Sequence, residues 1–143
     1  FIMLAERLGY VEPADMVNVI ADGFVNDWCF GKTPWRAAAR KAARTFYRIG
    51  PGAADPRWSF LAGMMQRRLD ELAGKDVNIE DAVERDAYDL LFHDRGSLRE
   101  RCEALLELLK DRLRGDSSQL PTPQVGDAGA GLPSLDPARD APR

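Results

Sequence analysis

A single histidine, His93, follows Asp89 by four residues and Asp86 by seven, so helical spacing puts all three on one face. An imidazole beside two carboxylates is a minimal set for a divalent cation or a general base. The di-metal helical-bundle pattern requires Glu-x-x-His, however, and position 90 is Leu. A lone histidine at a helix C-terminus more commonly meets free carbonyls and the negative end of the helix dipole. Gly31-Lys32-Thr33 matches the end of a phosphate-binding loop, but the first glycine of that motif falls on Asn26. The segment before it is a helical stripe where the motif needs a strand. Cys29 and Cys102 lie in apolar stripes and read as small hydrophobes. Ser59 lies inside a helix and Ser97 reads as a cap, so neither is an activated nucleophile. Glu80 and Glu84 belong to a charge run with no apolar cleft to raise a carboxyl pKa. The expectation is no catalytic residue, no metal ligand and no cofactor.

Binding chemistry is better represented. Arg36, Arg40, Arg44 and Arg48 recur every fourth residue, with Lys41 beside them. The other face of that helix reads Trp35, Ala39, Ala42, Phe46 and Ile49. Eight of the twelve aromatic residues, including all three tryptophans, fall between Phe24 and Phe60. Tryptophan, tyrosine and arginine dominate the energetics of protein interfaces. Phe30 and Tyr47 fall off the helical stripes and are expected at the surface. The partner-binding set is therefore Phe30, Trp35, Arg36, Arg40, Arg44, Tyr47 and Arg48.

Helices must position these side chains. Pro13, Pro34 and Pro56 each suit the first turn of a helix, where a missing N–H costs nothing, and Thr33 and Asp55 can cap. Another helix is expected from near Asn78, and one from Ser97, where Glu100 completes a capping box. Gly31, Gly50, Gly52, Gly74, Gly96 and Gly115 read as stops. Apolar residues step by three and four throughout: Met16, Ile20, Phe24, Trp28; Trp58, Leu61, Met65, Leu69, Leu72; Ile79, Val83, Ala87, Leu90, Leu91; Leu98, Cys102, Leu105, Leu109, Leu113. No segment alternates at period two. The fold class is all-α, a compact bundle of five or six short amphipathic helices.

The bundle is assigned to residues 1–115. Residues 116–143 carry five prolines and no aromatic residue, and read as a disordered Pro/Gly-rich tail without a full PxxP ligand motif. A start of only four apolar residues with no preceding basic residue does not fit a secretory signal. No apolar run reaches the roughly 18–20 residues of a spanning helix. The expected location is the cytoplasm, with no membrane partner. High Ala, Arg, Gly and Asp content suggests a GC-rich bacterial source.

The net charge of −3 conceals two opposed blocks. Residues 32–68 hold nine Lys or Arg against Asp55 alone, and residues 70–94 hold nine acids against Lys75 and Arg85. The basic helix could solvate, pair with the acidic helix of this chain, or meet an acidic partner. The expected function is a non-enzymatic helical interaction module, an adaptor, regulator or complex subunit, binding a protein through its aromatic and arginine surface. The first alternative is a nucleic-acid-associated protein using helix 34–49. Against it, the link 50–55 exceeds the roughly three- to four-residue turn of a helix-turn-helix. The next helix also offers only Arg57 near its start for base reading. The second alternative is a small enzyme or metal protein around His93, Asp86 and Asp89. The leucine-rich face of 98–113 is wide enough to serve a homo-oligomer as well.

Overall fold

The computed structural model describes residues 1–48 and 54–115. The expected tail, 116–143, and the Gly50 and Gly52 stops lie outside the described residues. Among the described residues there are six helices and no strand: α1 (Ile2–Arg7), α2 (Pro13–Lys32), α3 (Arg36–Phe46), α4 (Pro56–Leu72), α5 (Ala82–Phe92) and α6 (Leu98–Leu113). The all-α class is thus as the periodicity requires. The longest helix, α2, is the hub and packs against each of the other five.

Several local signals act as expected. Asp55 accepts the backbone N–H of Arg57 at 3.0 Å and caps α4. Ser97 and Glu100 form both halves of a capping box on α6. Gly74 and Gly115 adopt positive φ after α4 and α6. Other boundaries move. Helix α5 begins at Ala82, because Asp81 accepts the Glu84 N–H at 2.9 Å and is the effective cap. Ile79, expected in the first turn of that helix, is instead buried from the preceding extended link. Gly31 does not stop α2, which continues to Lys32. Pro34 and Trp35 sit in a turn, and α3 starts at Arg36.

The core is built from Met16 and Ile20 of α2, Leu61, Met64, Met65 and Leu69 of α4, Leu91 of α5 and Leu105, Leu106 and Leu109 of α6. The wide leucine stripe of α6 is used inside the chain, leaving Leu98 as its exposed member. Gly23 lets α2 approach α5: a Cβ there would lie 2.9 Å from Leu91 Cδ2.

Arg57 fastens three chain segments together. Its side chain is buried, and all five of its N–H groups are used. Nε donates to Leu113 O (3.0 Å), Nη1 to Glu12 O (3.1 Å) and Asp15 Oδ2 (3.2 Å), and Nη2 to Val11 O (2.6 Å) and Arg114 O (2.9 Å). The α1–α2 link, the start of α4 and the end of α6 therefore meet at one guanidinium. Its charge complements the negative end of α6, where the Leu113 carbonyl lies beyond the helical hydrogen bonds. Arg57 is the one candidate base-reading side chain near the start of α4, and its donors are engaged within the fold.

Candidate interaction surface

Of the face expected inward, Ala39 packs against the core, Trp35, Ala42 and Phe46 are exposed and Ile49 lies outside the described residues; Ala43 and, just past the helix end, Tyr47 complete the inward side. Both sets have helical spacing, so periodicity alone does not separate them. Two members of the expected binding set are consequently core residues. Phe30 is 1% exposed and Tyr47 is 4% exposed, which corrects the expectation that both lie at the surface. Tyr47 stacks on Trp58 with ring centroids 5.6 Å apart. Its hydroxyl accepts from Asn26 Nδ2 at 2.7 Å, and its carbonyl accepts from the Gln66 amide. Burial raises the Tyr47 pKa, the Asp22 charge adds to this, and the Asn26 bond opposes it.

The exposed aromatics are different ones. Trp35 is 57% exposed, Phe46 is 65% exposed and Trp28 is 55% exposed. The reason is angular. A side chain four residues on has advanced about 40° around an α-helix, so three such steps carry Trp28 about 120° from Met16. Phe30, fourteen residues after Met16, returns to within about 40° of it and is buried. Phe46 leans edge-on against both Tyr47 and Trp58, at 5.0 and 5.4 Å, while keeping its outer side in solvent.

The arginine stripe divides in two. Arg40 Nε donates to Phe30 O at 2.8 Å, tying α3 to the last turn of α2. Arg44 pairs with Asp70 at 3.2 Å and donates to Leu69 O, tying α3 to the end of α4. Arg36 reaches only the Thr33 carbonyl, and Lys32, Lys41 and Arg48 have no carboxylate partner among the described residues. The acidic helix α5 is served by other cations: Arg67 pairs with Glu84, and Arg112 bridges both oxygens of its cap, Asp81. Among the described residues, no ion pair joins α3 to α5. The surface of α3 therefore presents Trp35 and Phe46 on one flank and Arg36, Lys41 and Arg48 around the remainder. A shallow apolar groove of about 550 Å³ separates it from α2, lined by Cys29, Ala39, Ala42 and Phe46.

A second groove, of about 410 Å³, lies on the other side of α2. Phe24, Val25 and Trp28 form one wall, Leu98 the opposite lip and Leu91 the apolar floor, with Lys32, Arg68 and Arg101 supplying positive charge. Arg101 is held by donating to the carbonyls of Leu90 (2.7 Å) and Leu91 (2.6 Å) at the end of α5, and it lies 4.7 Å from the Phe24 ring centre. Arg68 donates to Asp27 at 2.6 Å and to Glu71 at 2.5 Å. Residue spacing alone does not reveal this groove. Its one legible signal is Trp28, whose position drifts off the Met16–Ile20 face.

His93 sits in the same charged network. Its Nδ1 is 2.9 Å from Asp89 and its Nε2 is 2.6 Å from Glu71; Asp86 is not a partner. Partial burial opposes the imidazolium, but the bonds to Glu71 and Asp89 outweigh it, and the His93 pKa is raised. Burial likewise opposes Glu71 ionisation, yet His93 and Arg68 lower the Glu71 pKa overall. The Tyr88 hydroxyl is buried beside these groups without a well-formed hydrogen bond, and burial raises its pKa. Both ring nitrogens of His93 are thus occupied by carboxylates from α4 and α5. Burial raises the Cys102 thiol pKa, as expected of an inert core cysteine. No helix among the described residues is long and apolar enough to cross a membrane.

Comparison with protein-family models, curated proteins and solved structures found no match.

Proposed function

We propose that this chain is a non-enzymatic helical interaction module that binds an acidic protein partner through α3 and its junction with α2. The reading is carried by one observation: Trp35, at the cap of α3, and Phe46, at its last turn, stand more than half exposed, beside the cations Arg36, Lys41 and Arg48 that no carboxylate of the described residues neutralises. Large exposed aromatics are costly to solvate, and aromatic–arginine combinations are the usual anchors of interfaces. Of the expected contact residues, Trp35, Arg36 and Arg48 remain suited to the role, and Phe46 and Lys41 join them. Phe30 and Tyr47 support the surface from below. Arg40 and Arg44 hold α3 in place, which also shortens the cationic row available to a nucleic-acid backbone. Adaptor, regulator and complex-subunit roles in a bacterial cytoplasm all fit this surface.

The test is a comparison of wild-type protein with the Trp35→Ala/Phe46→Ser double variant, both verified as folded by circular dichroism, in affinity capture from the native host. A hot-spot aromatic contributes about 2 kcal/mol or more, so a partner should be lost at least roughly thirtyfold. A recovered partner set indifferent to both substitutions defeats the proposal. Retention on heparin that collapses with moderate salt and with Arg36→Ala/Arg48→Ala would favour the nucleic-acid alternative.

A further inference from the structure

The groove on the far side of α2 combines an apolar interior with oriented positive charge. Its walls are Trp28 and Leu98, both with apolar surface in solvent, from two helices that face each other across it. Leu91, a core residue, closes the bottom. Two guanidiniums in the lining are fixed before any ligand arrives. Arg101 is anchored through Nε and Nη2, which leaves Nη1 available, and Arg68 is held through Nε and Nη1 against Asp27 and Glu71 and over the Phe92 ring. Lys32 stands at the same groove without an ion-pair partner among the described residues. Asp27 is the one carboxylate in the lining and is already engaged by Arg68.

Arg68 is balanced by Asp27 and Glu71, so Arg101 and Lys32 supply the unneutralised charge beside an apolar trough of about 410 Å³, and they define the ligand by complementarity. The volume lies within the roughly 300–1,000 Å³ of small-molecule sites. Guanidiniums already locked by hydrogen bonds lose little freedom when they meet an anion, and arginine matches a carboxylate in fork geometry. We propose that this groove binds a small amphiphile with an apolar body and a terminal carboxylate, its chain between Trp28 and Leu98 and its carboxylate at Arg101 and Lys32. The site is separate from the α3 surface and does not depend on a protein partner there.

Sodium decanoate is a direct probe, titrated into the full chain below its micelle-forming concentration. The readouts are calorimetry and the NMR shifts of the Trp28 indole N–H and Leu98 methyl groups. The expected result is saturable one-site binding, with 1-decanol weaker by roughly 3–10-fold and decyltrimethylammonium not binding. Lys32→Gln, at an exposed position with no ion pair among the described residues, should weaken decanoate by roughly fivefold while the protein stays folded by circular dichroism. Arg101→Gln should weaken it further; because Arg101 also holds the end of α5, the Lys32 variant carries the test. Absence of saturation, or equal binding of the cationic amphiphile, overturns the proposal. So does a peptide with Leu and Asp on one helical face that shifts the same signals when decanoate does not.

Discussion

Replacing Arg57 with methionine should remove a large fraction of the stability of the fold. Methionine preserves much of the apolar stem while deleting all five donors. Bonds to charged groups are individually worth about 1.5–3 kcal/mol, so five added naively give about 8–15 kcal/mol. That equals the whole stability of a typical domain, so additivity must fail. The carbonyls themselves give a better count. Glu12 O still accepts from Asp15 N, and Arg114 O still accepts from Val11 N. Val11 O and Leu113 O lose the partners that Arg57 supplies. A buried carbonyl at Leu113 and a half-buried one at Val11 left unpaired cost about 2–6 kcal/mol at most, offset in part by no longer burying a guanidinium. The expected net loss is about 2–4 kcal/mol, read from urea unfolding followed by far-ultraviolet circular dichroism. Arg57→Lys keeps the charge but lacks the fork, and should lose roughly half as much. A loss below about 1 kcal/mol for Met would refute the clamp. Equal stability of Lys and Arg would show that charge alone matters.

Three other outcomes follow from the same geometry. Phe30→Ala should cost about 3–5 kcal/mol whereas Trp35→Ala costs less than about 1 kcal/mol, a contrast that denaturant midpoints would reveal and that the opposite burial would invert. Because the folded-state pKa of His93 is raised, its contribution is complete below about pH 6.5 and disappears as pH rises through that raised value. The lowered Glu71 pKa acts in the other direction: its contribution is present above about pH 4.3 and is lost as pH falls through the lowered value. His93→Gln should therefore flatten the fall in unfolding free energy between about pH 6 and 8, by less than about 1 kcal/mol since the ring is partly solvated, and an unchanged slope in denaturant titrations would contradict the network. Gly23→Val should destabilise by about 1–3 kcal/mol through collision with Leu91, and a stabilised variant would mean that α2 and α5 are not so closely packed.

Caps and periods were legible because they are local. Asp55 before Pro56 and the Ser97–Glu100 pair act within one helical turn, where sequence neighbours are also spatial neighbours. The Leu105–Leu109 stripe needs no information beyond its own spacing to mark a core face. The candidate site was less legible. Around α3, the sets Trp35–Ala39–Ala42–Phe46–Ile49 and Ala39–Ala43–Tyr47 are both helical stripes that share Ala39, and alanines on every side leave the apolar direction weakly marked. The choice is made by partners outside the helix: Trp58 for the Tyr47 ring, Asn26 for its hydroxyl and Gln66 for its carbonyl.

Charge shows the same division. That residues 32–68 are basic and 70–94 acidic is a property of the sequence. Which cations remain available depends on where each side chain can reach. Arg40 and Arg44 find α2 and α4, Arg57 finds carbonyls 46 and 57 positions away, and Arg101 closes the end of α5. The sequence by itself determined an all-α chain, most helix boundaries and the existence of a basic, aromatic helix. Only the tertiary structure decided which aromatic rings meet solvent and which arginines remain free. Helical periodicity is set by bonds within a few residues, whereas burial and pairing depend on partners brought together from distant parts of the chain.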